Sequence, residues 1–78
     1  MDYIDYLALE HIKRDFLNEY YEELKRSQNT IENYKIQRRY LDKLPELYKQ
    51  GLSITEVYEL QERLDSVRDF VDYVVKNY

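Results

Sequence analysis

From Ser53 to Tyr78 the residues Val57, Leu60, Leu64, Val67, Val71, Val74 and Tyr78 recur at alternating spacings of three and four. That is a seam of heptad a and d positions, and it predicts one long amphipathic C-terminal helix. Glu62, Arg63, Asp65 and Asp69 fall off the seam. The start of the helix is also written locally. Ser53 and Glu56 form an S-x-x-E capping box, and Leu52 is placed to pack on Val57 as a hydrophobic staple. Such a face must be covered, either by the upstream chain or by a second copy.

Upstream, Tyr6, Leu9, Ile12, Phe16, Leu17, Tyr20 and Leu24 share one broad face at helical period, predicting a first helix from Asp2 to Arg26. Asp2 and Asp5 suit the positive end of its dipole, and Lys25 and Arg26 the negative end. Tyr3, Ile4, Leu7 and Tyr21 lie off the stripe and read as a rim or as a partner surface. Ser27-Gln28-Asn29 interrupts the pattern, and Asn29 followed by Glu32 reads as an N-cap with its N3 partner. The second helix that starts there carries Tyr34, Ile36, Tyr40, Leu41, Leu44, Leu47 and Tyr48 on a wide apolar arc. Pro45 lacks an N–H and clashes with the preceding turn, so this helix is expected to bend or break near Leu44. Gly51 supplies a left-handed C′ residue that ends it. The short Gly51-Leu52 connection makes the second and third helices close neighbours. The expected fold is all-α: a single domain over residues 1–78, a small three-helix bundle with its second helix bent or broken at Pro45.

Composition sharpens this picture by exclusion. With one Gly, one Pro and 36% charged residues, the chain has no strand-like alternation bounded by turns. No cysteine is present, which removes disulfides and thiol chemistry and favours a cytoplasmic location. The acids at Asp2, Asp5 and Glu10 break up any signal-peptide core, and no apolar run is long enough for a membrane span. One glycine makes no phosphate loop, and one histidine with scattered serines makes no triad. His11 and Asp15 stand one helical turn apart, too sparse for a metal site. Neither enzymatic activity nor a cofactor, metal or small-molecule substrate is expected. Ten tyrosines against two phenylalanines is the oddity. A phenol buries its ring while its hydroxyl stays at the solvent edge, which serves boundary packing and binding anchors alike.

The net charge of −4 is unevenly spread. Residues 1–24 hold seven acids and two bases, 25–49 three acids and seven bases, and 50–78 six acids and three bases. Lys25, Arg26, Lys35, Arg38, Arg39 and Lys43 thus form a basic middle cluster that either contacts nucleic-acid phosphates or another acidic partner, or balances the acidic flanks. In the first case Asn33 and Gln37 would add neutral hydrogen bonds along the same helix. On the first helix Asp15, Glu19, Glu22 and Glu23 form an acidic face able to imitate a nucleic acid.

The stretch SQNTIENYKIQRRYLDKL resembles the Ser-x-x-Thr-x-x-x-Tyr helix start in the N-terminal, SAM-like core-binding domain of tyrosine recombinases, and RLDSVRDFVDYVV is similar to that domain's last helix. Together they cover roughly half of the chain. The resemblance implies that Thr30 and Tyr34 are the family's helix-start pair, and that Lys35, Arg38 and Arg39 lie on a helix packed against DNA. The stretch from Leu44 to Ile54 is too short for that family's third helix, and recombinase activity does not carry over.

These observations lead to an expected function: a non-enzymatic helical module that binds a protein partner, in the style of the stand-alone regulators and inhibitors encoded by phages and other mobile elements. The alternatives are a nucleic-acid-binding module using the second helix and an acidic decoy using the first. Self-association is also expected. The C-terminal helix widens its apolar set to Phe70, Val71, Val74, Val75 and Tyr78, more than two short helices cover, and either a two-fold homodimer buries the excess or helix one lies along this end and buries Phe70 and Val75 within the monomer.

Overall fold

A computed structural model describes residues 3–77. The helices are α1 (Tyr3–Arg26), α2 (Thr30–Leu41), α3 (Leu44–Lys49) and α4 (Ile54–Asn77). Short-range chemistry sets each boundary. Asn29 Oδ1 accepts the Glu32 backbone N–H at 2.8 Å, and the Glu32 carboxylate returns to the backbone N–H of Gln28 at 2.9 Å, one residue before the expected one. After Leu41 the chain makes a turn, and Pro45 sits in the first turn of α3, where its missing N–H costs nothing. α2 and α3 are therefore the two limbs of one helix, bent by 25°. Gly51, at φ +118°, closes α3 in a Schellman motif: the Leu52 N–H reaches Leu47 O at 3.2 Å and the Gly51 N–H reaches Tyr48 O at 3.1 Å. Ser53 Oγ then caps α4 through the Glu56 N–H at 3.2 Å.

Contacts between the helices fix their directions. Lys13 meets Glu56 at 4.0 Å and the Tyr20 hydroxyl donates to Leu64 O at 2.9 Å, so α1 and α4 run parallel. Asn33 pairs with Asp72 and Gln37 with Asp65, so α2 runs antiparallel to α4. Glu23 meets Arg39 at 2.6 Å and Phe16 stacks edge-on against Tyr40 at 5.4 Å, so α2 is antiparallel to α1 as well. The result is a compact three-helix all-α bundle, a rod of 46 × 17 × 16 Å. Its core holds Leu9, Phe16, Tyr20 and Leu24 from α1, Tyr40, Leu44 and Leu47 from the bent helix, and Leu52, Leu60 and Leu64 from the C-terminal part. Val57, Val67 and Val71 pack along its edge, as the seam predicts.

Several tyrosines expected in the core are not in it. Tyr6, Tyr34 and Tyr48 share the period of buried neighbours yet are more than half exposed. Tyr6 lies beyond the end of the bundle, because Leu9 is the first α1 residue to reach the core. Tyr34 and Tyr48 lie off the stripe of α2 and α3 that meets the other helices, which runs Asn33, Gln37, Tyr40, Leu44 and Leu47. The expectations for Asp2 and Tyr78 fall outside the described residues.

Candidate interaction surfaces

The basic cluster is partly committed within the fold. Arg39 bonds Glu23, Arg38 pairs with Asp42 at 3.5 Å on its own helix, Lys25 pairs with Glu22 at 3.3 Å, and Lys43 stands 4.4 Å above the Tyr40 ring. Arg26 and Lys35 are exposed at the end of α1 and on α2. On the acidic face, Asp15, Glu19 and Glu22 are exposed, whereas Glu23 is half-buried against Arg39. Opposite charges meet across the α1–α2 contact at one pair, Arg39 with Glu23, while the Lys25 and Arg38 pairs are local. Such surface pairs are worth a fraction of a kcal/mol each, so they align the helices more than they stabilise them.

Asn33 and Gln37 do not face a phosphate backbone. Both are buried against α4, and this corrects their expected role. The Asn33 amide donates to Asp72 at 2.6 Å, the Gln37 amide donates to Asp65, and the Arg68 guanidinium donates to the Gln37 carbonyl oxygen. Arg68 also bonds Asp69 at 2.7 Å and lies 4.5 Å over the Tyr34 ring. Burial works against the charge of Arg68, but its carboxylate partners outweigh this and raise its pKa above the ordinary value. A buried polar ladder of this kind holds α2 and α4 in one register, because a slip would strand an amide or a charge away from its partner. The spacing of 33, 37, 40 and 44 was a signal available in the sequence. It is the a/d rhythm of the seam, written in polar residues at one end.

The other perturbed groups are structural too. Glu10, 2.7 Å away, holds Lys13 protonated above its usual range, with burial opposing. Burial pushes the phenols of Tyr20 and Tyr40 well above theirs. Among the described residues no three His, Cys, Asp or Glu side chains gather as a metal site, and no helix is long and apolar enough to cross a membrane. His11 accepts a hydrogen bond from Arg14 at 2.5 Å.

Two exposed apolar regions remain, one at each end of the rod. At the α1–α2 loop end Phe70 and Tyr73 project from α4, Phe70 being 67% exposed. Burial of Phe70 by α1 within the monomer is thereby ruled out. Val71 packs against the core, and Val74 and Val75 are half-buried. At the opposite end an open groove of about 610 Å³ lies between the α2–α3 limb and the start of α4. Leu41, Leu44 and Pro45 form one side, Ile54 and Val57 the other, with Tyr48, Lys49 and Gln61 completing the lining. Tyr48 and Ile54 are 57% and 55% exposed. The groove follows from local sequence. Pro45 turns α3 away from α2, and the Gly51 and Ser53 caps set α4 beside α3 with four intervening residues. Sequence reasoning missed it, having placed Tyr48 in the core and given Ile54 no role.

Comparison with protein families, with curated proteins and with solved structures finds no match to this chain.

Proposed function

We propose that this protein is a small non-enzymatic interaction module, a cytoplasmic regulator or inhibitor that docks a protein segment in the groove at the α3–α4 corner. The observation that carries this reading is the groove itself: wide, apolar, framed by two capped helix ends, and lined by Tyr48 and Ile54 at more than half exposure. Apolar grooves between helices take amphipathic helices through side chains at helical spacing. Lys49 is the one charged residue in the lining. The groove is therefore equipped for recognition rather than for proton transfer. The basic face of α2 supports nucleic-acid binding less well, because Arg38 and Arg39 already have carboxylate partners.

A photo-crosslinking residue placed at Tyr48 tests the reading in cells. It should capture a discrete product that Ile54→Glu abolishes while the melting temperature is retained. Equal capture from the same residue at Tyr73, or capture that survives Ile54→Glu, would refute it.

A further inference from the structure

We propose that the occupant of the groove is a second copy of this chain, and that the inserted element is the start of α1. This rests on the groove being the docking site, and it names the partner. Leu9 is where α1 joins the body: a methyl group on Gly51 would stand 3.5 Å from Leu9 Cδ2. Among the described residues, positions 3–8 run past the bundle as about a turn and a half of helix, at the same end of the rod as the groove. On that projection Ile4, Tyr6 and Leu7 are all exposed. Ile4 and Leu7 share one face and Tyr6 points to another, so the projection is apolar on more than one side. A helical segment of that kind is built to be surrounded. A short helical end without tertiary support also frays, so insertion into a groove stabilises the projection itself.

Area and charge point to the same partner. Ile4, Tyr6 and Leu7 on the projection, Tyr48 and Ile54 in the groove and Tyr58 one turn beyond Ile54 together expose residue surface on the order of 700 Å² per copy, which supplies most of the ~800 Å² per partner of a stable interface. The projection carries Asp5 and the groove carries Lys49, which within the chain makes only an exposed 3.5 Å pair with Glu46 on its own short helix, so each copy holds an acid and a base of opposite sign at the proposed contact. A two-fold axis at this end lets each projection enter the other copy's groove, and the isologous arrangement closes without leaving a free site. At the opposite end Ile31, Phe70 and Tyr73 are exposed but lie beside no comparable apolar groove among the described residues, and one face of the Tyr34 ring is taken by Arg68.

Sedimentation equilibrium of the purified full chain, from low micromolar to submillimolar concentration, tests the proposal. The expected result is twice the 9.7 kDa chain mass. Ile54→Glu in the groove and Leu7→Ser on the projection should each weaken the dimer by about tenfold or more with little change in melting temperature, because both sites are exposed in the monomer. Lys49→Asp should weaken it too, and adding Asp5→Lys should restore it. A single-chain mass at every concentration overturns the proposal. So does a dimer that Ile54→Glu leaves intact and Phe70→Glu breaks, which would move the interface to the other end. If the chain is monomeric while crosslinking from Tyr48 still captures a different protein, the groove reading stands and only the identity of its occupant fails.

Discussion

Replacing Leu64 with alanine should remove a large share of this protein's stability. Leu64 is 0% exposed and sits midway along α4, where α1 and α2 both press on it. The cost has two parts: the transfer free energy of the lost methyl groups and the cavity they leave. Collapse into that cavity is restricted. The backbone carbonyl of Leu64 holds the Tyr20 hydroxyl at 2.9 Å, and one turn further along α4 the Arg68–Gln37 contact ties α4 to α2. The loss therefore belongs in the middle of the usual range for a buried leucine rather than at its low end, about 3–4 kcal/mol. A domain of 78 residues has about 4–12 kcal/mol in total. With an unfolding entropy of about 2.1 cal/mol/K per residue, that loss lowers the midpoint by roughly 20 °C. Far-UV circular dichroism melts of the wild type, Leu64→Ala and the exposed control Phe70→Ala measure it. The control should stay within about 0.5 kcal/mol of wild type. A cooperative Leu64→Ala melt within a few degrees of wild type would show that the seam is not the core, and the reasoning would fail at its first step.

Two further outcomes follow from the buried phenols and from the α3–α4 turn. Burial, with nearby carboxylates adding to it, raises the pKa of Tyr20 and Tyr40 above the ordinary value of 10. The stability they contribute is complete below pH 10 and erodes as pH rises toward their folded values, because only the unfolded chain gives up those protons. The loss should approach about 1.4 kcal/mol per pH unit for each phenol, measured by denaturant titrations at increasing alkaline pH. Tyr20→Phe should remove part of that slope while costing about 1 kcal/mol at neutral pH through its lost bond to Leu64 O; an unchanged alkaline slope would contradict this. Gly51→Ala should cost about 1–2 kcal/mol through backbone strain at φ +118°, since the added methyl meets Leu9 only at ordinary contact distance. Unchanged stability would mean that the turn relaxes to negative φ.

What the sequence determined alone was everything that depends on near neighbours. The caps at Asn29 and Ser53, the break before Pro45 and the left-handed Gly51 each act within about four residues, and the N-cap bonds occur where the spacing places them. The reciprocal carboxylates differ: Glu32 bonds Gln28, and Glu56 lies 4.0 Å from Lys13 instead of bonding the Ser53 N–H. The α4 seam was legible for the same reason, since a helix repeats its face every turn or two. Periodicity, however, states which way a side chain faces and not whether a neighbour is there to meet it. Tyr6 shares the rhythm of Leu9 and Phe16 but lies past the last residue that anything covers. Asn33 and Gln37 look like surface residues by type, and only the antiparallel placement of α2 on α4 turns them inward to Asp72, Asp65 and Arg68. The tyrosines were the least legible, because a phenol is equally at home in a core and at its rim. Which of them are buried, and that Tyr48 and Ile54 are left lining an open groove, depended on where the three helices begin and end against one another. No local pattern encodes that, because it is a property of the assembled helices.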